Sequence, residues 1–459
     1  MERPELLYFI GIGGIGMSGL ARYFRRQGAT VAGYDRTPGE VAAQLAHEGI
    51  DVSYSNDPRN IPDEFRTADP AKVLVVRTPA VPMDNPLIAW WQQRGALIKK
   101  RSEVLGLVTK DRRTLAVAGT HGKTTVTTML AHLLNAGGIP CNAFLGGISA
   151  NYGTNVLLNA KAVLNVVEAD EYDRSFLALN PERAIITAMD PDHLDIYGDA
   201  EAMYRAYADF AALVTGKLLV HRRVLQRLKQ HAHGLPETVP YAIDEPDGPH
   251  AANIAVENGA YRFDLVIGDR VIEGLTLGMP GRHNVENAVA AATMALDEGL
   301  EPAALRKGLA SFQGVHRRFE VRARTSRSVF IDDYAHHPTE LETCIRSVRE
   351  LFPGRKVTGI FQPHLYSRTR DLAEGFARSL ALLDELILLE IYPAREEPLP
   401  GITSEWLMGQ VKGTNTTLCT KEQLIPLLEA RDVDILLALG AGDIDLLVPA
   451  IAAALNRKG

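Results

Sequence analysis

The run Gly119-Thr-His-Gly-Lys-Thr-Thr125, set between an apolar strand and a helix, constrains this chain more than any other stretch. Residues 114–118 (Thr-Leu-Ala-Val-Ala) read as a buried strand, and residues 126–134 place apolar side chains at helical spacing. A strand that feeds through a glycine-bearing turn into a helix belongs to a parallel α/β sheet. Such a turn aims several backbone N–H groups at one spot, at the positive end of a helix, and so cradles phosphate oxygens. Lys123 is placed to reach the outer phosphates and the Thr124 hydroxyl to complete a magnesium shell. Val117 stands where the general phosphate-loop pattern has its first glycine. An ordinary turn with a solvated lysine is the alternative, but strand, Gly-Lys-Thr and helix together favour ATP.

At 459 residues the chain is too long for one compact core, and about three domains are expected. With 46% hydrophobic and 23% charged residues the composition is that of a globular protein. A net charge of −7 argues against a general nucleic-acid binder. Cys141, Cys344 and Cys419 are widely spaced and read as reduced thiols. No stretch approaches the length of a membrane span, and residues before the first strand lack a signal-peptide pattern. A cytoplasmic protein without membrane partners is expected, as a monomer or weak homodimer.

Strands near 6–10, 30–33 and 73–76 alternate with helices, which predicts a first parallel unit ending in a linker at 110–113. Strands at 162–167 and 184–187 belong to the second unit, followed by short alternating strands over 251–278 and a helix over 284–298. Strands at 329–331, 357–361, 386–389 and 435–439, with helices near 338–351, 370–382 and 421–430, predict a third α/β unit.

Polar residues gather at strand ends. Gly11-x-Gly13-Gly14-x-Gly16 with Asp35 about twenty residues on satisfies a dinucleotide fingerprint, which alone suggests an NAD-dependent dehydrogenase. Physically it requires only a pyrophosphate on a helix N-terminus, so a UDP group satisfies it equally. Glu168, Asp170 and Glu171 end a strand where a carboxylate can hold the magnesium that bridges ATP phosphates. His193, with Asp192 and Asp195, closes the next strand and is read as a metal or phosphate ligand. Asn284 and Asn287 open a helix; one can cap it while the other pairs with a base edge. Arg317 and Arg318 are suited to neutralising a transferring phosphoryl group. His336 and His337 are adjacent and diverge, which makes zinc improbable. Arg368 or Arg370 is placed to grip a carboxylate bidentately.

Together these motifs resemble the Mur ligase family along essentially the whole chain. Gly119–Thr125, Glu168–Glu171, Asp192-His193, His283–Asn287, Arg317–Phe319 and Asp332–Pro338 fit its motifs in order. The Asp190–Asp195 stretch and the residues after Arg77 depart from the family's commonest form. The resemblance implies three α/β domains: a Rossmann-like UDP-sugar domain over 1–111, a central phosphate-loop ATPase with a small antiparallel sheet over 112–315, and a Rossmann-like amino-acid domain over 316–459. It implies ATP and Mg2+ as cofactors, with UDP-N-acetylmuramate and L-alanine joined through an acyl phosphate. Lys123, Glu168, His193 and Arg318 would be catalytic, with Thr124, Glu168 and His193 on the metal. Gly119, Thr120, His121, Gly122, Lys123, Thr124, Thr125, Asn284, Asn287, Arg318 and Asp333 would hold ATP. Gly11, Gly13, Gly14, Gly16, Met17, Ser18, Asp35 and Thr78 would hold the UDP-sugar, and His336, His364, Arg368 and Arg370 the amino acid. A murein-tripeptide recycling ligase is the rival within the family, disfavoured by the Gly13-Gly14-Ile-Gly16 form of the loop. A dehydrogenase leaves Lys123 and the acids unexplained, and a non-catalytic nucleotide-binding regulator has no use for a magnesium shell.

Overall fold

A computed structural model describes residues 4–110, 112–257, 260–394 and 396–458; Asp111 of the expected linker and the side chain of Asp195 lie outside the described residues. Two compact units are distinguished. One holds Met1–Ala252, Asp264–Leu275 and Glu286–Phe312; the other holds Asn253–Phe263, Thr276–Val285 and Gln313–Gly459.

The first unit carries two parallel sheets. Strands β1 (Leu6–Ile10), β2 (Thr30–Tyr34), β3 (Asp51–Ser53), β4 (Val73–Arg77) and β5 (Leu97–Lys100) pair in the order β3-β2-β1-β4-β5. Strands β6 (Arg113–Ala118), β7 (Cys141–Ser149), β8 (Thr154–Leu157), β9 (Leu164–Glu168), β10 (Arg183–Ile186), β11 (Lys217–His221) and β12 (Glu237–Tyr241) pair in the order β12-β11-β10-β6-β9-β7-β8. Only the β7–β8 pair is antiparallel in that sheet. Central strands such as β1 and β6 are covered on both faces, which is why they read as unbroken apolar runs.

Alternation along β1 shows how the two sheets are joined. Tyr8 and Ile10 point into a core with Phe65 and Trp91. Leu7 and Phe9 point the other way, into a core that also contains Ala116, Val167 and Phe176 of the central sheet. Each such buried side chain contributes about 1.5–3 kcal/mol. A shared core therefore joins the two sheets in one compact unit.

The expected linker at 110–113 falls between two elements. Helix Arg101–Lys110 runs to Lys110 and β6 starts at Arg113, whose guanidinium is held by Glu182 at 2.7 Å. Strands β13 (His250–Glu257), β14 (Ala260–Ile267) and β15 (Arg270–Leu277) form the expected small sheet, in that order, through which the division between the units passes.

The second unit holds β16 (Glu320–Arg324), β17 (Val329–Asp333), β18 (Val357–Phe361), β19 (Glu385–Leu388), β20 (Asn415–Leu418) and β21 (Ile435–Leu439), ordered β16-β17-β21-β18-β19-β20. All pairs are parallel except β16–β17. The helix expected over 370–382 is two helices, Tyr366–Asp371 and Ala373–Leu380, parted at Leu372 (φ −111°, ψ 13°). Among the described residues no helix is long and apolar enough to cross a membrane.

Helix Arg101–Lys110 seats tightly beside the segment Tyr172–Ala178. A Cβ at Gly106 would overlap the Ala178 carbonyl oxygen and stand 3.2 Å from its carbon. Helix propensity alone favours alanine over glycine by about 1 kcal/mol. Gly106→Ala is expected to destabilise instead, by about 1–3 kcal/mol, because the obstacle is backbone. Urea unfolding decides it, and a stabilised variant would refute this packing.

Candidate active site

The phosphate loop lies where the central sheet reverses its direction of growth, since β6 sits between β10 and β9. Crevices form beyond strand carboxyl ends at such points. Gly119 has φ 136° and Gly122 φ 80°, values that favour glycine, and a Cβ at Gly119 would strike Thr187 Oγ1 and stand 2.8 Å from Ala188 N. Thr120 N donates to Ala188 O at 3.2 Å, and Thr120 Oγ1 accepts from Asp190 N at 3.0 Å. Thr187 donates to the His121 carbonyl, and His121 Nε2 lies 3.3 Å from Asp190 Oδ2. The loop is thus fastened to the end of β10 before helix Lys123–Ala136 begins. Thr124 and Thr125 are buried at the helix start.

Lys123 Nζ donates to Glu171 Oε1 at 2.8 Å. Burial opposes the charged lysine, but the carboxylates of Glu171, Glu168 and Asp170 outweigh it and hold the ammonium above its ordinary value. Burial pushes Glu171 up against the pull of Lys123. Glu171 is therefore not part of a solvated turn, being 1% exposed, while Glu168 and Asp170 are half-buried. Glu168 Oε2 accepts from Gly146 N at 3.1 Å. His193, with φ 53°, has Nε2 at 3.7 Å from Asp192 Oδ2 and 4.0 Å from Glu171 Oε1.

Among the described residues no three histidine, cysteine, aspartate or glutamate side chains gather to hold a metal by themselves. Magnesium on a nucleotide asks for less, one or two carboxylates with phosphate oxygens and water completing the shell. Glu168 fits that donor set, and so does Glu171, whose Oε2 is buried without a hydrogen-bond partner.

Asn287 lies over the loop, its Oδ1 within 2.8 Å of where a Gly122 Cβ would stand. Beside it Glu286 Oε1 meets His221 Nε2 at 2.8 Å, at the carboxyl end of β11. Asn284 instead turns its amide back to the Pro280 carbonyl. The two asparagines thus part roles, one toward the loop and one local.

Gly11 and Thr78 end the adjacent strands β1 and β4, the switch point of the first sheet. Gly13 N donates to Asp35 Oδ2 at 2.8 Å and Thr37 N to Asp35 Oδ1 at 3.2 Å. Gly14 precedes helix Ile15–Arg26, where Gly16 falls. The side chains of Met17 and Ser18 are buried, and Ser18 Oγ donates to Ile15 O at 3.0 Å. Met17 joins the core and also lies 3.7 Å, at its Cγ, from where a Gly14 Cβ would stand.

In the second unit Asp333 ends β17 and accepts from Phe319 N at 2.7 Å and Ala335 N at 2.8 Å. Arg317 turns inward, donating to Gly440 O at 2.7 Å, while Arg318 lies over the Tyr334 ring at 4.9 Å and 4.0 Å from Glu340 Oε1. His337 caps helix Pro338–Leu351, and His336 faces His364 with ring centroids 6.2 Å apart. Arg368 Nη1 lies 3.4 Å from His364 Nδ1. His336, His364 and Arg368 are brought together; Arg370 pairs with exposed Asp371 at 2.7 Å, outside that group.

Sequence reasoning missed three pairings. The pairing of Glu171 with Lys123 was not legible within its acidic motif, and Arg101 beside Asp170 and the His221–Glu286 pair carry no motif spacing that would separate them from surface charges.

Burial pushes Asp332 from 3.8 up to about 7, with Arg317 opposing and Asp333 and Glu320 adding to the rise. Asp333 is raised to about 6, also by burial. Folded Asp332 keeps its proton between about pH 4 and 7, where the unfolded chain has released it. This group's contribution therefore falls as pH rises through that window. Asp332→Asn is expected to flatten the pH dependence of stability between about pH 4 and 7 and to stabilise at pH 7 by about 1 kcal/mol or more. Denaturation midpoints across that range test it; parallel profiles for both proteins would refute it.

Three family models match the chain: the Mur ligase family, catalytic domain over residues 6–113, the Mur ligase middle domain over 117–295, and the Mur ligase, glutamate ligase domain over 317–442. The chain is similar to the UDP-N-acetylmuramate–L-alanine ligase of Phocaeicola vulgatus, 47% identical over 457 residues and 98% of each protein. It is 49% identical to that of Porphyromonas gingivalis over 451 residues, 96% of this chain and 97% of the relative. A solved UDP-N-acetylmuramate–alanine ligase from Thermotoga maritima matches with TM-score 0.83 and 26% identity, covering 99% of this chain and 100% of that one. A murein peptide ligase from Psychrobacter arcticus shares the fold at TM-score 0.70 and 22% identity, over 98% of both chains.

Proposed function

The chain belongs to the Mur ligase family, and from that premise we propose that it joins L-alanine to the lactyl carboxylate of UDP-N-acetylmuramate, with cleavage of ATP to ADP and phosphate. This is a step of peptidoglycan precursor synthesis. The observation that carries the reading is a phosphate loop whose lysine is seated on a buried acid cluster, in a chain that matches such ligases end to end.

The sugar carboxylate attacks the γ-phosphorus and ADP leaves, giving an acyl phosphate. The amine of the amino acid then attacks the acyl carbon, phosphate leaves, and the nitrogen loses a proton. Lys123 and the loop N–H groups neutralise charge on the transferring phosphoryl group. Thr124, Glu168 and His193 would hold magnesium, which would supply positive charge to neutralise the ATP phosphates. Asn287 is assigned to adenine, and the loop from Gly11 to Gly16 with Asp35 and Thr78 to the sugar nucleotide. In the second unit Arg318 and Asp333 are assigned to the nucleotide reaction, and His336, His364 and Arg368 to the amino acid. The murein-tripeptide ligase shares the fold and differs in its acceptor.

Phosphate release from magnesium–ATP tests the proposal when single amino acids and a murein tripeptide are each supplied with UDP-N-acetylmuramate. Release is expected only with sugar nucleotide and L-alanine together. Lys123→Ala should lower kcat by about 100-fold or more, since it removes a preorganised cation from the transition state. Release that requires the tripeptide, or near-normal turnover in Lys123→Ala, would overturn the assignment.

A further inference from the structure

Arg101 begins helix Arg101–Lys110 and reaches both the acid cluster and the glycine loop. Its Nη2 donates to Asp170 Oδ2 at 2.9 Å, in the acid cluster. Its Nη1 lies against Gly16 of the glycine loop, where any Cβ would overlap it and come within 2.9 Å of its Cδ. The Arg101 side chain is 19% exposed and that of Asp170 32% exposed, so the pair is shielded yet reachable. Asp170 is also one of three carboxylates whose charge acts on Lys123. Helix Ile15–Arg26, which follows the glycine loop, is tied to β8 of the central sheet by Asn155, which donates to Ser18 Oγ at 3.0 Å and accepts from Arg22 Nη1 at 2.6 Å.

Resting on the sugar-nucleotide reading of the glycine loop, we propose that Arg101 binds the pyrophosphate of the sugar nucleotide, and that its release from Asp170 couples that binding to cation binding at the acid cluster. A guanidinium facing a glycine-rich helix start is matched to phosphate oxygens, which accept its fork bidentately. A pyrophosphate offers more anionic oxygens than the single carboxylate it replaces. Asp170, once relieved of Arg101, adds its uncompensated charge to Glu168 and Glu171. The acid cluster then attracts a divalent cation more strongly, and by linkage the cation strengthens sugar-nucleotide binding by the same factor.

Calorimetric titration of UDP-N-acetylmuramate into the full chain, with and without magnesium, separates the possibilities. Arg101→Gln is expected to weaken metal-free binding about tenfold or more, as loss of a charge-assisted contact does. Asp170→Asn is expected to strengthen it, because the arginine starts free. That opposite sign is not produced by misfolding. Magnesium should tighten binding to the wild type more than to either variant. Binding to Arg101→Gln within twofold of wild type, weaker binding to Asp170→Asn, or a magnesium effect preserved in both variants would overturn the proposal. A wild type that binds no UDP-N-acetylmuramate would overturn the ligase reading as well, whereas tight wild-type binding that Arg101→Gln retains would overturn the Arg101 role alone.

Discussion

The buried pair of Lys123 and Glu171 is the interaction on which the rest of this site depends. Two charges taken out of water are costly to hold, and either one left alone costs more still. The pair therefore persists only because strand order brings two separate chain segments together. β6 delivers the lysine through the glycine loop, and its neighbour β9 delivers the acids. On the other flank β10 supplies Thr187, against which Gly119 closes without a side chain. A polyanion arriving at the loop gives the ammonium a richer set of oxygens than Glu171 offers. The carboxylate it leaves is then available to a cation. On the proposed function, one ion pair keeps the lysine of the phosphate loop and the acid cluster in place before any ligand is bound.

The same rule places the other groups. In the first sheet the reversal falls between β1 and β4, and there stand the glycine loop and Thr78. In the second unit β17 and β18 flank β21, and Asp333 and His364 follow their carboxyl ends. Loops at such ends are free of ladder hydrogen bonding and can carry chemistry on a rigid sheet. Several non-glycine residues with positive φ lie in these loops, among them His193, Arg317, Phe319 and Leu365. Each such conformation costs about 1–3 kcal/mol, and surrounding contacts must hold it. Phe319 is held by its N–H on Asp333, Leu365 by its N–H on the Tyr392 carbonyl.

What the sequence displayed and what it concealed divide along physical lines. Central parallel strands are buried on both faces, so β1, β6, β18 and β21 stand out as apolar runs. Edge strands do not. β3, β5 and β20 are short and half-exposed, and their residues give no run and no clean alternation. In the charge cluster of the expected linker, Arg113 pairs with Glu182 and Glu298 beside the strand, partners that sequence spacing does not reveal. Within the site, the phosphate loop was legible because its chemistry is local in sequence. The choice among Glu168, Asp170 and Glu171 was not. Beyond Glu168 the strand ends and its period of two no longer says which side chain turns inward. Arg101 lies 69 residues from Asp170, and only the packing of helix Arg101–Lys110 beside the segment Tyr172–Ala178 brings them together.

The glycine fingerprint shows why a motif fixes less than it suggests. In a dinucleotide site the acidic residue after the second strand is read as a partner for ribose. Here Asp35 has one oxygen on Gly13 N and the other on Thr37 N, so its first task is to shape the loop. The loop then offers what any helix start offers, N–H groups and a positive dipole for an anion. Selectivity must come from what surrounds it. A dehydrogenase needs an open surface beside the pyrophosphate for a nicotinamide. In this chain the neighbouring space is occupied by Arg101, which is tied to an acid cluster that includes the partner of the phosphate-loop lysine. The fingerprint is common to many folds of this kind; in this chain it stands against an arginine that is tied to the acid cluster.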